Sequence, residues 1–278
     1  MGSVNSFNSV WCYSIYGTDA EKYYEPMLSN IKIAKHHGVA LVLHTNKKSE
    51  TQVRNFFRDN LEEIMLFVHN DEYAEYFPKI LRYLSSEKID SKFYFFKDSD
   101  SIVTLKEIEI MNRWMHTSNP IALIIRDHPL HISLILAGMF GANKNLSQYI
   151  AKSAEEFFLK RKPGYYNKYS YDQVWLARKI YPTIVDKADV NTSFFYYREE
   201  KITRIKIDLK NHQYIGAQAY KQSLNSPENL EGYLRLYGPN LLTLPYFPKL
   251  SFLYGRVRPT LAVAYLFCKF LKISSNWK

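Results

Sequence analysis

The stretch Phe93-Tyr94-Phe95-Phe96-Lys97-Asp98-Ser99-Asp100-Ser101 sets four consecutive aromatic residues just ahead of two carboxylates. Four large apolar rings in a row read as a buried strand, and the polar residues that follow mark its carboxyl end. In an open α/β sheet that edge is where ligands bind. Carboxylates at i and i+2 on an emerging strand can converge on one hard cation. Mg²⁺ or Mn²⁺ held by one or two carboxylates then completes its shell with substrate phosphates. The spacing points to a metal-bridged nucleotide site; a solvated Asp-Ser-Asp turn closed by its own side chains is the competing reading.

On either side of this strand, short apolar runs alternate with amphipathic stretches, the sequence form of βαβ units and a largely parallel sheet. Residues 10–15 predict a first strand, followed by the polar turn Tyr16-Gly17-Thr18-Asp19 and a helix to about His37 that Gly38 ends. Residues 39–43, 64–68 and 121–125 predict further strands. Helices are expected over 72–85, with Pro78 near its start or kinking it, and over 104–116. The run 121–125 also ends in an acidic turn, Arg126-Asp127-His128-Pro129. Past about Gln148 the alternation fades. Helices over 151–160 and 171–180 flank a basic loop at 160–164, and residues 184–220 read as strand-rich and irregular. The expected fold class is α/β, with one Rossmann-type domain over residues 1–229 built on a central, mostly parallel sheet. A helical, aromatic and basic appendage over 230–278 follows it.

With 278 residues, 46% of them hydrophobic and 23% charged, the chain can bury a sizeable core. Cys12 and Cys268 are the only cysteines, which excludes a disulfide scaffold and a four-thiolate zinc site and makes reduced thiols the expectation. The net charge of +10 implies an anionic partner. From Leu230 onward seven basic residues face the single acid Glu231, so this segment carries +6 of the total. The remaining +4 over the first 229 residues does not make the basic, aromatic platform of a nucleic-acid module, and that reading is the weaker one. Met1-Gly2-Ser3-Val4-Asn5-Ser6 lacks a basic n-region and an apolar h-region, so no secretory signal is expected. The apolar run 261–268 stops at Lys269, short of the roughly 20 residues that a bilayer needs. A cytoplasmic protein is expected, with peripheral contact to the inner face of a membrane as an option for the tail.

Tyr16-Gly17, Asn30, Arg82, Lys97-Asp98-Ser99-Asp100-Ser101, Glu107, Trp114, Arg126-Asp127-His128-Pro129, Ala137-Gly138-Met139-Phe140-Gly141 and Tyr171-Asp172-Gln173 follow one another in a characteristic order and spacing. In this the first four fifths of the chain resembles GT-A-type nucleotide-sugar glycosyltransferases with a DxD motif, of the kind found in capsule, lipopolysaccharide and viral glycan gene sets. The resemblance implies transfer of a hexose or pentose from a nucleoside-diphosphate donor, a UDP-sugar favoured, to a hydroxyl of a glycan or lipid-linked acceptor, with inversion favoured. It implies Mn²⁺ or Mg²⁺ on Asp100, with Asp98 touching the ribose or reaching the metal through water. Tyr16, Gly17, Arg82, Asp98, Arg126, Asp127 and Gly138 would serve the donor, Asp172 would face the acceptor, and Gln173 would orient a sugar. Many such enzymes add a late histidine ligand. The matching stretch Asp189-Val190-Asn191-Thr192-Ser193 has none, which leaves Asn191 and His212 as candidates.

The chemistry asks for these residue types on its own terms. A departing nucleoside diphosphate accumulates negative charge, which a Lewis-acid cation and nearby Arg or Lys stabilise. Arg82 and Lys97 are the nearest basic residues, with Lys97 expected in solvent. A hydroxyl nucleophile needs a base within hydrogen-bond reach, the role expected of Asp172, whose bland alternative is a helix N-terminal aspartate. Asp127 reads either as an acceptor for sugar hydroxyls or as the N-cap of a helix with Pro129 in its first turn. The Gly138 to Gly141 turn either lets backbone approach a ligand or is an ordinary loop. A non-catalytic nucleotide- or sugar-binding relative is the alternative function, against which the Asp98, Asp100 and Asp172 set argues. The tail alternates aromatic with basic residues, a pattern for an anionic membrane surface or for docking on the core.

Overall fold

The computed structural model describes residues 6–128, 131, 133–159, 171–206, 214–219 and 242–244. Its strands in chain order are β1 (Phe7–Ser14), β2 (Ala40–Asn46), β3 (Met65–His69), β4 (Ser91–Lys97), β5 (Ala122–Arg126), β6 (Met139–Asn143), β7 (Ala188–Thr192), β8 (Phe195–Tyr197), β9 (Lys201–Arg204) and β10 (Leu242–Leu244). Eight of them form one sheet in the order β3-β2-β1-β4-β6-β5-β7-β9, and β8 pairs with β10 in a second, two-stranded sheet. Within the large sheet β6 alone runs antiparallel, between β4 and β5. The expected α/β class with a mostly parallel, Rossmann-like sheet is what the chain adopts.

β1 and β4 lie side by side at the centre, buried on both faces, which is why they read as continuous apolar runs. Val10, Cys12, Tyr94 and Phe96 point to one face, while Trp11, Tyr13 and Phe95 point to the other. The first face is covered by a 3₁₀ helix (Pro78–Leu84), by α7 (Lys144–Leu159) and by the helical stretch that starts at α8 (Tyr171–Trp175) and ends in α9 (Tyr181–Ile184). The second is covered by α2 (Glu25–His36), which follows the short α1 (Ala20–Tyr23), by α3 (Glu50–Phe56) and by α6 (Leu105–Met115). The chain leaves β1 toward β2 and β3 on one side and returns to β4 on the other. The carboxyl ends of β1 and β4 therefore flank a switch point, where connections diverge and where α/β sheets bind their ligands.

Several elements differ from expectation. The helix predicted over 72–85 is broken into α4 (Glu72–Tyr76), the 3₁₀ helix and α5 (Ser85–Lys88). Pro78 disfavours helical backbone at the residue before it, and Phe77 has φ −128° and ψ 52°. The break turns Arg82 inward. The second difference is at Gly138-Met139-Phe140-Gly141, where a turn was expected and β6 is found. Gly141 makes this possible, since a Cβ there would lie 2.9 Å from the Phe95 ring of the neighbouring strand. α7 then begins at Lys144, earlier than predicted, because the Asn143 side chain accepts the Leu146 N–H at 2.9 Å and caps the helix. The basic loop at 160–164 and His212 lie outside the described residues, as does the 230–278 appendage apart from β10. No helix among the described residues is long and apolar enough to cross a membrane.

A buried polar chain supports the 3₁₀ helix from the side. Ser85 Oγ donates to the Arg82 carbonyl at 2.8 Å, so it accepts from His44 Nε2, also at 2.8 Å. His44 Nδ1 is then the acceptor for His69 Nε2 at 2.8 Å. Burial, and then the charge of Lys88, pushes His69 down to about 4 against the opposing pull of Asp71; burial, His69 and Lys88 hold His44 well below its ordinary value. Both rings are neutral in the fold and titrate near 6.5 in the unfolded chain. The unfolded state therefore binds more protons below pH 6.5, and stability is lost as pH falls from 6.5 toward 4. The expected loss is up to about 1.4 kcal/mol per pH unit for each ring. Urea midpoints at pH 7.5, 6 and 5 check this, with a shallower slope expected in His69→Gln; a midpoint flat across this range would contradict it.

Candidate active site

Arg82 is the hub of the site. The 3₁₀ helix carries it to the carboxyl ends of β1 and β4, and its backbone N–H donates to Ser14 Oγ at 2.8 Å. Nη1 donates to the Lys97 carbonyl at 2.7 Å and to Asp98 Oδ1 at 2.5 Å, while Nη2 donates to Asp172 Oδ2 at 3.0 Å. The planar guanidinium fork suits two carboxylates approaching from different directions. α8 is held in place for this by Tyr171, whose hydroxyl accepts the Lys79 N–H at 3.0 Å. Arg82 and Asp172 are buried, whereas the Asp98 side chain is half exposed. Partial burial works against the charge of Asp98, but contact with Arg82 outweighs it and keeps the carboxyl below its ordinary range. Tyr16 stands at the edge of the group, its ring stacked on Tyr23 at 6.2 Å. Burial, followed by the charge of Asp172, pushes its phenol up, so it stays a neutral hydroxyl. Gly17 adopts φ +81°, and its turn is locked by Ser49 Oγ on its N–H at 3.1 Å and by the Tyr24 hydroxyl on its carbonyl at 2.7 Å.

Gly138 faces this group for a reason of space. A Cβ built on it would lie 2.1 Å from Asp98 Oδ2, so the Asp98 carboxylate occupies the room that any other residue would fill. Two residues on, burial and then the neighbouring Asp98 push Asp100 up to about 6, against the pull of Gln218 and Lys22. The chain just past Asp100 is held by Asn30, which donates to the Ser101 carbonyl at 2.8 Å and accepts the Val103 N–H at 2.9 Å. Asp98 and Asp100 offer a hard, all-oxygen donor pair, and a divalent cation would relieve their mutual repulsion. Among the described residues no group of three or more His, Cys, Asp or Glu side chains converges. What the described residues offer a cation here is this carboxylate pair alone, and a cation held by two carboxylates would need further oxygen ligands to complete its shell.

Several expected site residues are elsewhere. Arg126 is withdrawn into a buried pair with Glu200, Nη1 to Oε2 at 2.8 Å and Nη2 to Oε1 at 2.7 Å. Its Nε donates to the Ser133 carbonyl at 2.9 Å and Nη2 also contacts the Leu134 carbonyl. Four of its five N–H donors go to Glu200 and to the loop that follows β5, which makes it a support of that region. No described helix starts at Asp127, and Pro129, expected in the first turn of one, lies outside the described residues. One of the Asp127 oxygens accepts from Ser193, and the other from Lys106 at 2.7 Å and from the Ile215 N–H at 3.2 Å, which makes Asp127 a tie between β5, β7 and α6. Asn191 Oδ1 accepts from Arg113 at 2.7 Å rather than joining Asp100. Gln173 accepts from Ser133 Oγ at 3.3 Å, one residue along α8 from Asp172. Lys97, expected in solvent, is buried against Glu107 in an ion pair that compensates both charges. Glu107 sits three residues after the N-cap Thr104, in capping-box order, but its side chain reaches Lys97 instead of the cap. Ser14, Gln218 and Glu200 also serve the site or its support without any local sequence signal.

No family model matches the chain, and no curated protein matches it. Among solved structures it is similar to the 4-diphosphocytidyl-2C-methyl-D-erythritol synthase of Anaerococcus prevotii. The two are 11% identical, the match covers 83% of this chain and 96% of that one, and the TM-score is 0.45. At this level of similarity the chemistry has to be read from the side chains themselves.

Proposed function

We propose that this chain is a glycosyltransferase that moves a sugar from a nucleoside-diphosphate donor, a UDP-sugar favoured, to a hydroxyl of a glycan or lipid-linked acceptor. The observation that carries the reading is one guanidinium, that of Arg82, joining Asp98 and Asp172 at the switch point of the sheet, with Asp100 two residues on. Mn²⁺ or Mg²⁺ held by Asp98 and Asp100 would supply Lewis-acid stabilisation to the leaving diphosphate. Asp172 lies on the other side of Arg82 and serves the acceptor. In an inverting displacement the acceptor oxygen bonds to the anomeric carbon as the bond to the diphosphate oxygen breaks, and the hydroxyl proton passes to Asp172. Arg82 fixes the direction of that carboxylate, Tyr16 and the Gly17 turn would line the donor side, and Gln173, next to Asp172 in the chain, would orient a sugar once released from Ser133. Residues 230–278 would bring the site to a lipid-linked acceptor at an anionic membrane.

Thermal denaturation with UDP, GDP or dTDP, each with and without Mn²⁺, tests the donor side, since a ligand of the folded state raises the melting temperature. The largest rise is expected for UDP with Mn²⁺, and no rise with any nucleotide would reject the reading. For the acceptor side, Asp172→Asn is expected to keep UDP binding and lower turnover by a factor on the order of 10². Unchanged turnover would remove Asp172 as the base.

A further inference from the structure

The segment 214–219 lies against Asp127, Met139 and the Asp100-Ser101 loop and is pinned at several points. Ile215 is fully buried and its N–H donates to Asp127 Oδ2 at 3.2 Å. Tyr214 packs on the His128 ring at 4.2 Å between centroids. Gly216 has φ +81° and lies so close to Met139 that a Cβ would be 2.6 Å from its sulfur. These anchors deliver the next residues onto the acidic loop. The Ala219 N–H donates to the Asp100 carbonyl at 2.9 Å, Gln218 bridges to Ser101 in antiparallel fashion, and Gln218 Nε2 donates to Asp100 Oδ2 at 2.8 Å. The donor and acceptor of this last bond are separated by 118 residues in sequence.

We propose that Gln218 is a positioning residue for the cation site: its amide holds Asp100 in one orientation and presents the second carboxylate oxygen, Oδ1, to the cation. This rests on the reading of Asp98 and Asp100 given above. A carboxylate has only acceptors to offer, so the amide must turn its NH₂ toward Asp100. The hydrogen bond then removes a rotation that cation binding would otherwise have to arrest, and it favours the charged carboxylate. The late-chain partner that the described residues give Asp100 is thus an amide donor. Neither Asn191, engaged by Arg113, nor any other described side chain from the second half of the sequence donates to Asp100.

Mn²⁺ titration of the full-length protein in the presence of UDP, followed by the electron paramagnetic resonance signal of free Mn²⁺, tests the role in wild type, Gln218→Ala and Gln218→Glu. Gln218→Ala is expected to weaken Mn²⁺ binding about 10- to 100-fold, the usual effect of losing a group that orients a ligand. Gln218→Glu is expected to weaken it at least as much, because the isosteric carboxylate cannot donate and repels Asp100. A residue needed only for packing would be replaced well by Glu, so wild-type binding in Gln218→Glu overturns the proposal. Tighter binding in that variant also overturns it, since it would mean that position 218 ligates the cation directly. Unchanged affinity in Gln218→Ala, with a wild type that binds Mn²⁺, overturns the role of Gln218 alone. A wild type that takes up no Mn²⁺ overturns the site reading together with it.

Discussion

Arg82→Leu is expected to abolish sugar transfer and to destabilise the fold, because it leaves a buried carboxylate without its counter-charge. Asp172 is almost completely buried and its Oδ2 accepts from Arg82, so its burial is tolerable only with the guanidinium present. Breaking a buried pair by removing one partner costs about 3–5 kcal/mol, a large share of the roughly 5–15 kcal/mol by which domains are stable. The contact with Asp98 adds little to that figure, since the Asp98 side chain is half exposed and screened by water. Urea denaturation measures the loss directly. Adding Asp172→Asn to Arg82→Leu is expected to recover much of the stability, because the amide carries no charge to strand, while activity stays absent. If Arg82→Leu alone unfolds at the wild-type midpoint, Arg82 is not what compensates the buried Asp172 carboxylate.

Gly138→Ala separates the site from the fold. The added methyl would sit 2.1 Å from Asp98 Oδ2, so the Asp98 side chain has to leave the hollow. It has somewhere to go, because half of it is already in solvent, and the stability cost is expected to stay within about 1–3 kcal/mol. Leaving the hollow breaks the 2.5 Å bond to Arg82 and pulls one of the two carboxylates away from its partner. Mn²⁺-dependent affinity for UDP is expected to fall about 10- to 100-fold, as when a metal ligand loses its orientation. Calorimetric titration of the variant checks this against its melting temperature. A folded Ala variant with wild-type affinity would show that Asp98 does not need the position it occupies.

Much of this arrangement was legible in the sequence, and what was legible was local. The aromatic run 93–96 and the apolar runs around 10–15, 39–43, 64–68 and 121–125 each mark a strand; in all of them but the partly buried edge strand β3, burial on both faces leaves the continuous apolar signature. The carboxyl ends of those runs place Gly17, Asp98 and Asp127 on the edge where an α/β sheet binds ligands, and Pro78 marks the break that turns Arg82 inward. Partner choice is another matter. Nothing local distinguishes Arg82, which bridges Asp98 and Asp172, from Arg126, which is sealed against Glu200. β6 escaped the pattern because Gly141 and Ala142 offer little apolar signal, and their smallness matters only when Phe95 lies against them. Lys97 looked like the solvated end of a strand until Glu107, one helix away, took its charge. Gln218 reaches Asp100 only because the topology returns a distant segment to the Asp100-Ser101 loop. Periodicity encodes which face of an element is buried; which charge meets which across 70 or more residues is decided by the order of strands in the sheet, and that order exists only in the folded chain.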